Sequence, residues 1–177
     1  MATTTIDHQC SRKTRKEIWA TPENPFRFVD SGLSGVYLVG IRYFECECGK
    51  VVAEIPAVRQ LLSLIARDLV EKPKALSPEE IRFLRKRLGT KQADFAKEIG
   101  VRPETLCRFE TGDTRTNERT DKLIRLYYVV ASRDPILIEQ LGPTIQDIMT
   151  AWEYTKNSVH IVATVKDNEW KAVAAAA

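Results

Sequence analysis

Apolar positions along this chain follow two rhythms, one of period two and one of period three to four. From Phe26 to Ile55 apolar and polar residues alternate: Phe26 and Phe28, then residues 36–44 broken at Gly40, then residues 51–55. Alternation punctuated by turns at 31–35 (SGLSG) and 46–50 (CECGK) predicts a small antiparallel sheet of three or four strands. Phe26, Phe28, Tyr37, Leu38 and Phe44 are its expected core. A sheet this small needs a metal, a helix or a neighbouring domain to cover it. After Pro56, Val58, Leu61, Leu62, Ile65 and Leu69 fall three and four apart, which predicts an amphipathic helix to about Val70. The polar, proline-containing stretch 71–75 marks the expected domain boundary.

Beyond it the helical rhythm dominates. Ser77, Pro78 and Glu80 form a start signal of N-cap, first-turn proline and capping box, with Ile81, Leu84 and Leu88 as the buried stripe. Gly89 ends that helix, and Thr90 is the expected cap of a second, 91–99, with Ala93, Phe95, Ala96 and Ile99 inward. Gly100 supplies a tight turn with Val101 tucked inward. A third helix from Pro103 to about Glu110 turns Leu106 and Phe109 inside, and Cys107 is expected to help pack it. Asn117 caps a fourth, to about Ala131, with Leu123, Ile124, Tyr127 and Val130 as core or interface positions.

The ends carry weaker signals. Residues 1–24 are polar, hold the basic cluster Arg12, Lys13, Arg15 and Lys16, and read as a flexible, solvated start. Past Ala131, Asp134-Pro135 begins a further segment, a helix is expected near 144–154, and 159–165 with 169–173 form a closing hairpin. The fold class is therefore α+β, in four parts. These are a flexible 1–24, a β-rich module plus helix over 25–72, a helical domain over 77–131, and an extension over 132–177.

With 177 residues, 44% hydrophobic and 29% charged, the chain has room for one good core or two small ones. A formal charge of +3 permits a nucleic-acid partner without requiring one. No apolar run reaches the length of a membrane span and the N-terminus lacks a hydrophobic signal core, so no membrane partner and a cytoplasmic location are expected. The only histidines are His8 and His160, and no phosphate loop or nucleophile–base set is present, so an enzyme is not expected. Thiol redox chemistry at Cys46 and Cys48 is the remote exception.

Two short amphipathic helices meeting at Gly100 are how a helix-turn-helix offers its second helix to a DNA groove. Thr90, Lys91 and Gln92, at the start of the first of these helices, are placed to meet phosphate. Arg102, Glu104, Thr105 and Arg108 share the exposed side of the second. Arginine can bind guanine bidentately or anchor phosphate, and glutamate can accept from cytosine.

Residues 76–112 resemble the lambda-repressor-type (Xre/Cro) domain. Gln92-Ala93, Phe95-Ala96, Gly100-Val101, Thr105 and the run from Arg108 through Phe109, Glu110 and Thr111 to Gly112 match its pattern in register, with Phe109 where tryptophan is usual. Upstream, residues 26–56 resemble the zinc-ribbon half of MqsA/YgiT-type antitoxins, in which an SGL-x-x-V-x-L hairpin precedes a Cys-x-x-Cys-Gly knuckle. Together the resemblances cover roughly residues 26–130. They imply an antitoxin-type regulator that acts as a homodimer on a palindromic double-stranded DNA operator, represses its own operon and has a toxin protein as a further partner. The alternative they carry is a protein-binding antitoxin whose N-terminal module neutralises the toxin, with DNA binding secondary.

The zinc site departs from that pattern. Cys46-Glu47-Cys48 is one residue short of a knuckle, and only His8 and Cys10 are available upstream as further ligands. The expectation is a knuckle without its zinc, and the alternative is a zinc site built from His8, Cys10, Cys46 and Cys48.

Overall fold

The computed structural model describes residues 15–134, 137, 161–166 and 169–173; His8, Cys10, His160 and the helix expected near 144–154 lie outside them. The fold is mixed α+β. The chain divides into two compact units, one of Met1–Ser31, Gly35–Leu64 and Val159–Ala177, the other of Gly32–Ser34 and Ile65–Ser158.

The first unit holds seven strands among the described residues: β1 (Arg15–Trp19), β2 (Phe26–Arg27), β3 (Val36–Val39), β4 (Arg42–Cys46), β5 (Val51–Glu54), β6 (Ile161–Lys166) and β7 (Glu169–Val173). They form two sheets, ordered β1-β4-β5 and β2-β3-β6-β7, rather than the one small antiparallel sheet expected. Gly40 is the reason. It takes φ +80°, and a Cβ there would lie 3.1 Å from the Val165 carbonyl oxygen, so only glycine fits. Its N–H donates to the Ala20 carbonyl at 2.9 Å while the Ala20 N–H donates to Ile41 at 2.9 Å. The chain thus leaves one sheet at Val39 and enters the other at Arg42.

Both ends of the sequence enter these sheets. Arg15–Trp19, expected to belong to a flexible start, pairs antiparallel with β4 from Arg15↔Cys46 to Trp19↔Arg42. Its order comes from ladder hydrogen bonds, which a polar sequence does not advertise. The closing hairpin forms between β6 and β7, but β6 also runs parallel to β3, from Val36↔Ile161 to Val39↔Thr164. The last strands complete the first unit and are not a separate extension. Phe28, Val36, Leu38, Ile41, Tyr43, Leu61, Ala163 and Trp170 are buried. Tyr43, packed against Phe26 with ring centroids 5.1 Å apart, takes the core place expected of Tyr37 and Phe44, which are half-buried. Trp170 Nε1 donates to the Pro56 carbonyl at 2.8 Å, so its indole is buried with its polar atom satisfied.

The helices bounded within the described residues are α1 (Val58–Glu71), α2 (Pro78–Arg87), α3 (Gln92–Glu98), α4 (Pro103–Thr111) and α5 (Glu118–Ser132). The division between units falls within α1, at Ile65, and not at residues 71–75. In the second unit Ile65, Leu69, Ile81, Leu84, Phe95, Ala96, Leu106, Phe109 and Ile124 form the core. Ser77 accepts from the Glu80 N–H while the Glu80 carboxylate accepts from the Ser77 N–H, the expected capping box.

The stretch 71–75 reads as a linker yet is clamped. Arg125 of α5 donates through Nη1 to the carbonyls of Leu69, Val70 and Lys72 at 3.0, 2.9 and 2.8 Å, and through Nη2 to that of Lys74 at 2.6 Å. Its Nε meets Asp121 Oδ2 at 2.9 Å, and Asp121 Oδ1 accepts from the Leu76 N–H at 2.7 Å. Both side chains of the pair are 1% exposed. The guanidinium therefore caps the last carbonyls of α1, which helix geometry leaves without partners. Burial pushes the Asp121 carboxyl above its ordinary pKa, while Arg125 and the Leu76 N–H pull it back. Arg125→Leu strands a buried carboxylate and four carbonyls. It should cost about 3–5 kcal/mol, the usual penalty for removing one partner of a buried pair. Urea unfolding measures this, and an unchanged midpoint would show that the clamp contributes no stability.

Candidate nucleic-acid interface

A short α3, a turn and an exposed α4 form the centre of the second unit. Ile99 caps α3 and Gly100 takes φ +70°. The Val101 N–H then reaches back to the Ala96 carbonyl at 2.9 Å, closing a Schellman-type turn. Arg102 is extended, Pro103 opens α4 with its fixed φ, and the Leu106 N–H bonds the Arg102 carbonyl at 3.1 Å. Leu106, Phe109 and Glu110 face inward, while Arg102, Glu104, Cys107, Arg108 and Thr111 are exposed and Thr105 is half-buried.

One buried carboxylate fixes this geometry. Glu110, near the end of α4, receives Arg85 of α2 through two bonds, Nε at 2.6 Å and Nη2 at 2.8 Å. The same carboxylate accepts from Gln92 Nε2 of α3 at 3.1 Å. Arg85 Nη1 also donates to the Thr90 carbonyl at 3.0 Å, and Arg82 donates to the Glu110 carbonyl. Three helices are thus tied at one point. Hydrogen bonding to Glu110 raises the pKa of Arg85, whose charge is permanent in any case.

The residues expected to touch DNA now have definite places. Lys91 is the exposed N-cap residue of α3, with no side-chain cap bond, and Gln92 is the first helical residue. Thr90 does not cap α3. It lies one residue too early, and its hydroxyl donates to the Leu88 carbonyl at 3.5 Å. Gln92 offers its backbone N–H at the helix start, whereas its side chain is committed to Glu110. Arg102, Glu104 and Arg108 are exposed on the α4 side of the turn. Ala93, expected inward, is exposed, as is Cys107. Cys107 and Thr111 lie three residues beyond Glu104 and Arg108, so helical spacing alone places them on the same outward face. The Thr111 hydroxyl is engaged by Asp113 Oδ2 at 2.7 Å, which leaves Cys107 as a small, weakly polar surface between two charged ones.

Two thiols flank the β4–β5 turn, and the further candidate ligands His8 and Cys10 lie outside the described residues. Cys46 is buried at the end of β4 and Cys48 is exposed in the turn, which closes through Gly49 N–H to the Cys46 carbonyl at 2.8 Å. Among the described residues no three His, Cys, Asp or Glu side chains converge as ligands. Nor is any helix among them long and apolar enough to cross a membrane.

Residues 81–124, the span from α2 into α5, match the family model described as helix-turn-helix (HTH_3). The second unit therefore carries a lambda-repressor-type DNA-binding domain of the kind found in transcription regulators. No curated protein and no solved structure matches the chain.

Glu110→Ala should leave Arg85 and Gln92 without their shared acceptor. The loss should be about 3 kcal/mol, the lower end for a broken buried pair, because Arg85 keeps some contact with water. A thermal melt of the variant, read beside its DNA affinity, checks this. Full stability in the variant would remove Glu110 from the account.

Proposed function

We propose that this chain is a sequence-specific repressor of antitoxin type that acts as a dimer on a two-fold operator and controls its own operon in the cytoplasm. The observation that carries the proposal is the outward face of α4, where Glu104 and Arg108 stand exposed on a helix whose opposite side is locked by Leu106, Phe109 and Glu110. In this reading Arg108 binds guanine through two parallel bonds and Glu104 accepts from a cytosine amino group. Lys91 meets phosphate beside the start of α3, together with the Gln92 N–H, and the Thr90 segment follows the same backbone. Arg102 anchors phosphate at the entry to α4, and Thr105 contacts the edge of the groove. The antitoxin part rests on the residues shared with MqsA/YgiT-type proteins, the SGLSG turn (31–35) followed by β3 and then the helix-turn-helix, in that order.

A second reading, toxin neutralisation by the first unit, has its own support. Trp19 is 57% exposed on β1, and the Arg42 guanidinium lies 5.8 Å from its ring centroid. Glu54 holds Arg42 from the other side at 2.8 Å. Exposed tryptophan and arginine are the side chains that most often dominate protein–protein contacts. Trp19→Ala should abolish co-purification with a small protein encoded beside this gene and leave DNA affinity unchanged.

Arg108→Ala tests the first reading. Loss of a bidentate base contact costs about 1–3 kcal/mol, roughly a five- to 150-fold drop in affinity for DNA from upstream of its own gene. Lys91→Ala should instead weaken binding to all sequences alike and reduce the salt slope by about one. Electrophoretic mobility shifts at two salt concentrations separate the two. Equal affinity of Arg108→Ala and wild type would contradict the assigned role.

A further inference from the structure

Three residues of the SGLSG turn, Gly32, Leu33 and Ser34, belong to the second unit, although Ser31 and Gly35 on either side of them belong to the first. They lie outside the matched span 81–124, so the helix-turn-helix pattern does not account for them. Leu33 is buried at 5% exposure. Ser34 donates twice to one oxygen of Glu79, from its backbone N–H at 3.1 Å and from its hydroxyl at 2.6 Å. Hydrogen bonds to a carboxylate are the short, strong kind, and two of them on one oxygen fix where it lies.

Glu79 stands in the first turn of α2, and its neighbours on that helix reach the end of α4. A Cβ on Gly112 would lie 3.4 Å from Pro78 Cγ, so the proline ring already rests against the residue that caps α4. Arg82, three residues beyond Glu79 and on the same side of α2, donates to the Glu110 carbonyl. Gly112 and Thr114 in turn donate their N–H groups to the Arg108 carbonyl at 3.1 and 3.2 Å. An unbroken line of contacts thus runs from Ser34 through Glu79 and Pro78 to the backbone of Arg108.

We infer that Ser34 is a positioning residue for base reading. It holds the first turn of α2, so that Pro78 and Arg82 keep the last turn of α4, and with it Arg108, at one pitch. The inference rests on the reading role proposed for Arg108 and adds a brace from outside the helix-turn-helix. Ser34 itself meets no base in this account. A bidentate guanine contact needs two N–H groups aligned at once, so a small tilt of the helix end breaks it. Phosphate contacts carry no sequence information and are served by Lys91 at another place, so they are spared.

The test uses the full chain and two readouts. The first is amide hydrogen exchange at Gly112 and Thr114, followed by NMR without DNA. Ser34→Ala should speed exchange at both on the order of fivefold, and Glu79→Ala, which removes both bonds, at least as much. Ser34→Thr, which keeps the hydroxyl, should exchange like wild type. The second is affinity for duplex DNA from upstream of its own gene, set against a random duplex of equal length. Ser34→Ala should weaken the upstream duplex about fivefold, within the range that remote contacts impose on a site, and leave the random duplex unchanged. Helical circular dichroism should not change, because Ser34 is exposed. Unchanged exchange, equal losses on both duplexes, or no rescue by Ser34→Thr would overturn the inference. A wild type that binds both duplexes equally would overturn base reading by α4 and the role of Ser34 with it. Exchange is measured without DNA, so a failure of the brace is distinct from a failure of reading.

Discussion

The carboxylate of Glu110 is the point on which the DNA-facing half of this molecule turns. It is buried and shared by Arg85 from α2 and Gln92 from α3, while its own helix α4 carries Glu104 and Arg108 exposed on the other side. A buried charge is tolerated only when it is paired and hydrogen-bonded, and this one is satisfied from two neighbouring helices at once. The price of burying Glu110 is met by rigidity. Helices α2, α3 and α4 cannot shift independently without stranding a charge, so Glu104 and Arg108 are presented from a fixed frame. Preorganisation of this kind lowers the entropy lost when a side chain engages a base edge.

Arg125 serves the other end of the same unit. By capping carbonyls of Leu69, Val70, Lys72 and Lys74 it fastens the end of α1 to α5. Helix α5 thus carries two tasks on two of its surfaces: the core contact through Ile124 and Tyr128 and the clamp through Asp121 and Arg125. Any change in how α5 is held is therefore felt by the end of α1.

What could be read from the sequence was what depends on near neighbours. Ser77, Pro78 and Glu80 announced the start of α2, Asn117 announced α5 by accepting from the Thr120 N–H at 2.9 Å, and Gly100 announced the turn. Leu106 and Phe109 followed from helical spacing. What could not be read depends on distant partners. Arg125 looks like a surface residue because its acceptors lie 51 to 56 residues away. The polar strand β1 exists because β4 offers it a ladder, and β6 joins β3 across more than a hundred residues of chain. The stretch 71–75 has the composition of a linker, and only the guanidinium buried against its carbonyls makes it part of a core. Of the candidate site, helical position was legible on α4. The fate of Thr90 and Gln92 was not, because a carbonyl at Leu88 and a carboxylate at Glu110 claimed their side chains.

The central claim is that the exposed face of α4 reads a defined DNA sequence as part of a two-fold assembly. Its most direct measurement is selection of bound duplexes from a random-sequence pool by the full chain, followed by sequencing. Enrichment of one inverted repeat is expected, with half-site centres separated by about 10–10.5 base pairs, roughly 34 Å, or a multiple of it. A bound pool that stays random in sequence, however tightly the DNA is held, would contradict it.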